Sequence, residues 1–362
     1  MTTYRIATIP GDGIGPEVLD AALPVLAAAG RRFGFTLEIE RLPYGADHYL
    51  ATGETLPDHA FEHLKNDVQA ILLGAVGDPR VPKNEHARDI LLGLRFRLDL
   101  YINLRPVILL HPDLTPLKIG APGHRGTGAP GHRGTGAPTI DLVIFRENTE
   151  GQYLARGRIT DEEFVSEEVN TPKGVERIIR AAFDFAAGQG RKQVTMSDKS
   201  NAIPAHRIWQ EKFKAVATEY PAVTAEHRYV DALAMEMVRD PYRFDVIVTN
   251  NLYGDILSDL GAGLVGGLGV AASANLHPGR TGLFEPVHGS APPLAGKNVA
   301  NPFAAILTGA MMLRELGQAD AAVALEQAVR DAIAAGVRTP DIGGTTGTRE
   351  AAAWVKERIA TA

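Results

Sequence analysis

The chain contains no cysteine among its 362 residues. That absence excludes disulfide frameworks, thiolate zinc sites, iron–sulfur ligation and a cysteine nucleophile, so any bound metal must be held by oxygen or imidazole ligands. Aromatic residues are few, at 6%, whereas hydrophobic residues make up 45% and charged residues 22% of the chain. This composition is typical of a globular protein with a sizeable buried core.

There is no excess of basic charge, because 37 Lys and Arg residues stand against 43 Asp and Glu residues, for a net charge of −6. Without a positive field to attract a phosphate backbone, we expect no nucleic-acid partner. A long uncharged stretch, at 262–276, is too short and too rich in glycine to cross a bilayer. The N-terminus carries neither a secretory nor a transit pattern. We therefore expect no membrane partner and a cytoplasmic location.

Short apolar runs alternate with longer amphipathic segments along the chain. The runs predict strands at 4–9, 70–75, around 107–110, 142–146, 194–197 and 246–249. The 3.6-residue periodicity predicts helices at 18–29, 173–187, 203–219 and 320–335. Residues 284–292 are predicted to form a loop in front of a further helix. The alternation predicts an α/β fold with a mainly parallel sheet.

One segment is repetitive. Gly-Ala-Pro-Gly-His-Arg-Gly-Thr occurs at 120–127 and again, letter for letter, at 128–135, and a third copy begins at 136–138. Repeats this rich in glycine and proline do not form packed elements, so we predict a flexible surface loop at 120–138. A tolerated duplication is the favoured interpretation. The alternative is that its His and Arg side chains contact an anion or a metal.

The motif Gly11-Asp-Gly-Ile-Gly15 lies between a predicted strand and a predicted helix. A Rossmann dinucleotide loop occupies the same position, but its third glycine stands one residue later, where this chain has Pro16. The Rossmann match therefore fails. Spacing alone leaves both a simple turn and a cofactor contact open.

Three arginines, Arg95, Arg105 and Arg146, occur among apolar residues. Guanidinium groups bind carboxylates through two parallel hydrogen bonds, so the arginines indicate a small di-acid or tri-acid substrate. Surface salt bridges are the alternative for each of them.

Asp255 and Asp259 are four residues apart and would share one face of a helix. A bound Mg²⁺ or Mn²⁺ would relieve their repulsion, with Asp231 as a candidate third ligand, whereas a solvated helix face is the alternative. Lys199 and Tyr153 are candidate proton-transfer groups.

Five motifs follow one another along the chain. They are Pro10-Gly-Asp-Gly-Ile-Gly-Pro-Glu17, Asn103-Leu-Arg-Pro106, Arg146-Glu-Asn-Thr-Glu-Gly151, Gly254-Asp-Ile-Leu-Ser-Asp259 and Glu285-Pro-Val-His-Gly-Ser-Ala-Pro292. Together they resemble the β-decarboxylating dehydrogenases of the isocitrate/isopropylmalate dehydrogenase family. The resemblance implies a two-domain α/β fold with a large mixed, mainly parallel sheet that is not a Rossmann fold. Residues 1–100 and 266–362 would form a cofactor-side domain, and residues 101–265 a substrate and dimerisation domain.

The resemblance also implies a role for each candidate residue. Arg95, Arg105 and Arg146 would clamp the substrate carboxylates, Lys199 would act as base for the hydroxyl, and Tyr153 would protonate the enolate. Asp231, Asp255 and Asp259 would bind the metal. Lys199 and Asp231 would come from the neighbouring subunit of a homodimer, where Asp231 would also meet the substrate. The residues on the cofactor side would be Ile14, Glu285, His288, Gly289, Ser290, Ala291 and Asn301.

Leu91 and Leu92 stand just before Arg95, at positions that in this family meet the variable part of the substrate. An apolar pair fits an isopropyl group, so the favoured activity is metal-dependent oxidative decarboxylation of 3-isopropylmalate to 2-oxoisocaproate in leucine biosynthesis. D-malate or tartrate dehydrogenase, homoisocitrate dehydrogenase and, more remotely, a non-catalytic regulatory homologue are the alternatives. Pro293 and Leu294 supply neither the aspartate of NAD-using relatives nor the cation of NADP-using ones, and NAD is favoured.

Overall fold

The computed structural model describes residues 2–118 and 139–361. The predicted repeat loop at 120–138 therefore lies outside the described residues. The chain divides into two compact units. The first unit combines Met1–Leu100 with Gly266–Ala362, and the second is the continuous segment Tyr101–Val265.

The first unit contains five strands and eight helices among its described residues. The strands are β1 (Thr2–Gly11), β2 (Phe35–Arg41), β3 (Ala70–Ala75), β11 (Ala272–Leu276) and β12 (Gly282–Pro286). The helices are α1 (Gly15–Phe33), α2 (Ala46–Thr52), α3 (Asp58–Asn66), α4 (Glu85–Ala87), α5 (Gly93–Arg97), α10 (Phe303–Glu315), α11 (Ala319–Ala334) and α12 (Thr348–Thr361). The strand order is β2-β1-β3-β12-β11, parallel except between β11 and β12.

Helix α1 shows why the first unit folds as it does. Pro16 lies in its first turn, where a missing N–H costs nothing, and Gly34 ends it in the left-handed conformation at φ 81°. Leu19 and Leu26 on its inner face are fully buried. Burying a side chain of this size stabilises the fold by about 1.5–3 kcal/mol.

One core cluster of the first unit joins residues from both of its chain segments. Ile71 and Leu73 of β3 and Phe61 of α3 pack in one cluster with Leu283 of β12. Because Leu283 also pairs in register with Ile71, β12 joins both the sheet and this core cluster.

One histidine on the surface of the first unit, His63, is expected to make the free energy of unfolding depend on pH. The Nε2 atom of His63 lies 2.6 Å from Glu40, its Nδ1 atom lies 2.9 Å from Asp67, and these hydrogen bonds raise the pKa of His63. A raised histidine pKa gives stability that is present in full below about pH 6.5 and is lost as the pH rises through the folded-state value. We expect His63→Gln to lower the free energy of unfolding at about pH 6 and to change it less at about pH 9. Urea unfolding at both values measures this, and an equal loss at both would contradict it.

The second unit contains seven strands and four helices among its described residues. The strands are β4 (Ile102–Ile108), β5 (Asp141–Glu147), β6 (Gly157–Ile159), β7 (Phe164–Ser166), β8 (Gln193–Asp198), β9 (Thr224–Tyr229) and β10 (Val246–Thr249). The helices are α6 (Pro172–Gln189), α7 (Arg207–Ala217), α8 (Val230–Arg239) and α9 (Asn251–Val265). The main strands run in the order β4-β5-β10-β8-β9, parallel except between β4 and β5, and β6 and β7 form a separate hairpin.

Most predicted elements are present, and three predictions are wrong in part. The strand predicted around 107–110 is β4, which begins earlier, at Ile102, and ends at Ile108. The strands at 70–75 and 246–249 have the predicted bounds. The helix predicted at 203–219 is instead a 3₁₀ turn, Pro204–His206, followed by the shorter α7. The loop predicted at 284–292 begins as the end of β12, because Phe284 is a buried strand residue. No helix in the described ranges is long and apolar enough to cross a membrane.

Candidate active site

Arg146 lies at the end of β5, where the sheet of the second unit meets the start of α9. It pairs in register with Thr249 of β10, two residues before the helix begins. Its side chain is 1% exposed. The Nε atom donates to the main-chain oxygen of Asn251 at 2.9 Å and to its Oδ1 at 3.0 Å, and Nη1 donates to Asp255 Oδ1 at 2.5 Å. The guanidinium group is therefore held rigidly against the first turns of α9.

Helix α9 can approach Arg146 because residue 254 is glycine. A Cβ atom at position 254 would lie 2.5 Å from Arg146 Cγ and 2.6 Å from Arg146 Cβ, well inside van der Waals contact. We expect Gly254→Ala to displace the helix and to lower the free energy of unfolding by about 1–3 kcal/mol. Urea unfolding measures the change.

Gly263 provides the matched control on the same helix. A Cβ atom there would meet nothing within 4 Å, so Gly263→Ala adds helix propensity without a clash. Its expected effect is neutral or stabilising, by up to about 1 kcal/mol. Equal losses in the two variants would show that the fit against Arg146 is not what selects glycine at 254.

Tyr153 and Asp255 form the second contact of this cluster. Tyr153 lies in a 3₁₀ turn, Gly151–Leu154, and its hydroxyl donates to Asp255 Oδ2 at 2.7 Å. The Arg146 guanidinium carbon lies 5.1 Å from the centre of the Tyr153 ring. The two oxygens of Asp255 thus receive a cationic donor and a phenolic donor.

Arg105 joins the cluster from the neighbouring strand β4. Its Nε donates to Asn103 Oδ1 at 2.7 Å, and its Nη1 donates to Ser258 Oγ at 2.6 Å. The same Nη1 lies 3.3 Å from a carboxylate oxygen of Asp255 and 3.3 Å from one of Asp259. Arg105 is 7% exposed, so the second unit contributes two buried guanidinium groups to one place.

The two acids of α9 lie near each other, as their spacing predicts. Burial raises the pKa of Asp259, the nearby Asp255 carboxylate raises it further, and Arg105 opposes both effects. Carboxylate oxygens are the ligands that Mg²⁺ and Mn²⁺ prefer, so this pair fits a divalent cation. The described part of one chain holds no cluster of three or more His, Cys, Asp or Glu residues able to bind a metal, and Asp231 therefore does not complete this set within one chain.

Lys199 and Asp231 form a separate pair in the second unit. Lys199 follows β8, Asp231 lies in the first turn of α8, and Lys199 Nζ donates to Asp231 Oδ1 at 2.6 Å. This hydrogen bond lowers the pKa of the Asp231 carboxyl. The chain thus brings together the two residues that were predicted to act in the neighbouring subunit, and that assignment stays a prediction.

Two loops that are predicted to contact the cofactor lie against each other in the first unit. The first loop contains Gly11–Gly15 and the second contains His288–Ala291. The main-chain N–H of Ile14 donates to the Ser290 carbonyl at 2.8 Å. A Cβ atom on Gly13, which has φ 56°, would lie 1.9 Å from that same carbonyl oxygen. Only glycine permits this approach, so Ile14 and Ser290 are held together by main-chain contacts.

The side chain of Asp12 anchors the first loop, Gly11–Gly15, to other segments of the first unit. Its Oδ1 accepts the Ala46 N–H at 2.6 Å, and its Oδ2 accepts the Gly77 N–H at 2.7 Å and lies 2.8 Å from His86 Nε2. The Asp12 carboxylate thus joins three separate segments of the first unit.

The second loop carries an unpaired polar atom. His288 Nδ1 lies 3.1 Å from the Gly289 carbonyl, whereas Nε2 is buried and has no hydrogen-bond partner among the described residues. Burial lowers the pKa of His288. Ala291 is held in the left-handed region at φ 38°, and Gly289 is exposed. A buried, unpaired nitrogen beside an accessible backbone fits a ligand rich in hydrogen-bonding groups, such as a nucleotide.

The remaining predicted residues of the first unit are engaged inside it. Arg95 is 4% exposed, and its Nη2 donates to Glu285 Oε1 at 2.8 Å. Asn275 Nδ2 donates to the same oxygen at 2.9 Å. Asn301 Nδ2 donates to Asp341 Oδ2 at 3.1 Å. The substrate role of Arg95 and the cofactor roles of Glu285 and Asn301 stay predictions.

Leu91 and Leu92 belong to a π-helical turn, Arg88–Leu92, which runs into α5. Both side chains are half-buried, and Leu91 packs against the core cluster of the first unit. π-Helical turns are often found at functional sites. The role of this pair in substrate choice stays a prediction.

Sequence reasoning missed several polar residues around the predicted ones. They are Asp12, His86, Asn103, Glu168, His206, Asn250, Asn251, Asn275 and Ser258. Asn103 could have been found, because it stands two residues before Arg105 and thus on the same face of a strand. His206 carries no such signal, because it meets Lys199 only through a turn.

Comparison with known proteins agrees with the fold and with the motifs. Residues 5–355 match the isocitrate/isopropylmalate dehydrogenase family. A 3-isopropylmalate dehydrogenase of Thermobifida fusca (strain YX) is 43% identical over 366 residues, covering 99% of this chain and 98% of that protein. A decarboxylating D-malate dehydrogenase of Escherichia coli (strain K12) is 42% identical over 367 residues, covering 97% of each.

A solved structure is also similar. The crystal structure of isocitrate dehydrogenase from Methylococcus capsulatus matches with a TM-score of 0.85 and 39% identity, covering 99% of this chain and 100% of that one. This match and the mixed, mainly parallel strand orders confirm the predicted fold class.

Proposed function

The chain belongs to the isocitrate/isopropylmalate dehydrogenase family and is a decarboxylating dehydrogenase, and we propose that it oxidises and decarboxylates 3-isopropylmalate with NAD. The product would be 2-oxoisocaproate, as leucine biosynthesis requires. Family membership implies a nucleotide cofactor and a divalent metal in general. The observation that carries the proposal is the cluster of Arg105, Arg146, Tyr153 and Asp255, which sets two buried cations beside a phenolic proton donor.

The two guanidinium groups would bind the carboxylates of the substrate. Fork-shaped donors suit carboxylates because each can make two parallel hydrogen bonds, and they act more strongly where water is excluded. Arg146 is fixed by its two contacts to Asn251, so little rotational freedom is lost when a substrate binds. The sequence resemblance predicts that Arg95 also binds a substrate carboxylate, and this role stays a prediction.

Proton transfer would need one base and one acid. Lys199 would take the hydroxyl proton while the hydride passes to NAD⁺, which leaves a 3-keto acid. The carbon–carbon bond to the carboxylate then breaks, carbon dioxide leaves, and the electron pair remains on the substrate as an enolate. Tyr153 would protonate its carbon, oriented by the hydrogen bond from its hydroxyl to Asp255.

The metal and the nucleotide would be held by groups already described. Asp255 and Asp259 would bind Mg²⁺ or Mn²⁺, which when bound would offset negative charge on the substrate oxygen. The nucleotide would lie along Ile14, the backbone of His288 to Ala291, and Asn301. Pro293 supplies no acidic acceptor for the ribose hydroxyls of NAD. The chain also lacks the cation that NADP-using relatives have here, and NAD therefore stays favoured over NADP.

We further propose a homodimer in which Lys199 and Asp231 serve the site of the neighbouring subunit. Large apolar side chains are exposed on α8 and α9, among them Met235 at 51% and Ile256 at 56%. The hairpin of β6 and β7 exposes Ile159 at 76% and Phe164 at 79%, and these two residues pair across it. Large exposed apolar side chains of this kind favour burial against a second copy of the chain. The cytoplasmic location stays a prediction.

The deciding experiment measures nicotinamide reduction with Mg²⁺ or Mn²⁺ against 3-isopropylmalate, D-malate, D-tartrate, isocitrate and homoisocitrate, each with NAD and NADP. We expect 3-isopropylmalate with NAD to give the highest kcat/KM. D-malate is the second candidate substrate. The D-malate dehydrogenase of Escherichia coli is 42% identical to this chain, and the 3-isopropylmalate dehydrogenase of Thermobifida fusca is 43% identical. Preference for D-malate or tartrate would overturn the isopropylmalate assignment.

A further inference from the structure

The residues behind Lys199 form a buried polar network that the proposed chemistry does not use. His206 lies in the 3₁₀ turn before α7 and is fully buried. The main-chain N–H of Lys199 donates to His206 Nδ1 at 3.1 Å. On the other side of the ring, His206 Nε2 lies 3.0 Å from both carboxylate oxygens of Glu168.

These contacts fix the tautomer of the imidazole. A main-chain N–H can only donate, so Nδ1 must offer its lone pair to Lys199, and the ring proton must then lie on Nε2 and point at Glu168. Burial raises the pKa of Glu168, but the hydrogen bond from His206 and further ones from Asn170 and Asn250 outweigh it and lower that pKa overall. Glu168 is therefore a strong acceptor for the Nε2 proton.

The network continues to the helix that carries the metal-binding acids. Asn250 Nδ2 donates to Glu168 Oε1 at 2.9 Å, and Asn250 Oδ1 accepts the Tyr253 N–H of α9 at 2.9 Å. The Tyr253 ring also packs edge-on against His206, with ring centres 5.7 Å apart. One set of hydrogen bonds thus links the Lys199 turn to the first turn of α9.

We propose that Glu168 and His206 are positioning residues for Lys199: the carboxylate fixes the imidazole tautomer, and the imidazole holds the main chain of the lysine. The proposal rests on the proposed function, in which Lys199 acts as the base. Asp231 contacts only the side chain of Lys199. The Lys199 carbonyl accepts main-chain hydrogen bonds from Ala202 and Ile203, and the contact with His206 adds a restraint on the Lys199 N–H. A displacement of about 1 Å at a reacting group lowers turnover by up to about 100-fold.

Two substitutions separate the two sides of the ring. The amide of His206→Asn places an oxygen near the position of Nδ1 and can still accept from Lys199, whereas His206→Gln places its amide near the position of Nε2 and can serve Glu168 alone. We expect His206→Gln to lower kcat about 10- to 100-fold with little change in KM. His206→Asn should restore kcat to within about threefold of the unsubstituted protein.

Hydrogen exchange at the Lys199 amide, read by mass spectrometry with residue-level fragmentation, gives a readout independent of turnover. Its rate should rise at least about 10-fold in His206→Gln and stay near the original value in His206→Asn. His63→Gln is the control, since it also removes an imidazole that bridges carboxylates, and it should change neither kcat nor this exchange rate.

The outcomes are distinct. Equal losses of kcat in both His206 variants, in step with their melting temperatures, would overturn the proposal in favour of a purely structural role. Unchanged exchange and turnover in His206→Gln would also overturn it. A third outcome separates the two proposals. If the unsubstituted protein oxidises none of the hydroxy acids, the proposed function fails. If the exchange rates of the Lys199 amide still differ as expected in that case, they support the proposal that His206 positions the main chain of Lys199.

Discussion

Lys199→Ala is expected to lower kcat by about 10²–10⁴-fold, the contribution of a well-placed general base. The reason is that the substitution removes Nζ, the group proposed to accept the hydroxyl proton. Asp255 and Asp259 are untouched and Asp231 keeps its carboxylate, so the affinity for Mn²⁺ should change little. Steady-state kinetics measures the first quantity, and electron paramagnetic resonance of Mn²⁺ measures the second.

Lys212 supplies the control for this substitution. It lies on α7 and forms a salt bridge with Glu176 at 2.7 Å, just as Lys199 does with Asp231, but it has no proposed part in the chemistry. Lys212→Ala should leave kcat unchanged. Substantial turnover by Lys199→Ala near neutral pH would show that another group is the base.

Asp255→Asn should have the second large effect, because several groups depend on this one carboxylate. It accepts from Arg146 and from Tyr153, and it is proposed to hold the metal. The neutral amide leaves the buried Arg146 cation without its close negative charge and turns one oxygen acceptor into a donor. We expect Mn²⁺ affinity to fall about 10- to 100-fold and kcat/KM to fall at least as far.

Asp184 offers the matched control for Asp255. It is an exposed carboxylate on α6 that accepts the hydroxyl of Tyr220 at 2.6 Å, so it repeats the aspartate–tyrosine contact away from the cluster. Asp184→Asn should change neither Mn²⁺ affinity nor kcat/KM. An unaltered Mn²⁺ requirement in Asp255→Asn would remove this residue from the set of metal ligands.

Mixing the two inactive variants tests how the sites are shared. If Lys199 serves the neighbouring subunit, a hybrid dimer of Lys199→Ala and Asp255→Asn chains has one intact site, which combines Asp255 of the first chain with Lys199 of the second. Random reassociation should then recover up to about a quarter of the original activity. If each chain uses its own Lys199, no hybrid site is intact and no activity returns.

Much of the fold could be predicted because apolar patterning is local. The buried strands β3 and β10 are short runs with no polar interruption, and their bounds follow directly. Helix α7 begins later than predicted because Pro204 starts a separate tight turn, which periodicity alone does not reveal. The π-helical turn at Arg88–Leu92 carries no distinguishing sequence signal at all.

The site residues could be named from motifs, but their contacts could not. The arginines were expected either on the surface or around a ligand, yet Arg95 and Arg146 are buried and each is paired with a carboxylate of its own unit, Glu285 or Asp255. Such pairs join residues more than 100 positions apart, so only the folded chain reveals them. The network of Glu168 and His206 was missed for the same reason.

The discontinuous first unit has a consequence for protein synthesis. Its strand β3 ends at residue 75, whereas β12, which pairs with β3 and adds Leu283 to the same core, emerges about 200 residues later, after roughly 10–40 s of translation. The second unit is continuous and can fold while the ribosome is still at work. Until β12 is made, the open edge of β3 and the half-built core beside it are exposed to chaperones, proteases and other nascent chains.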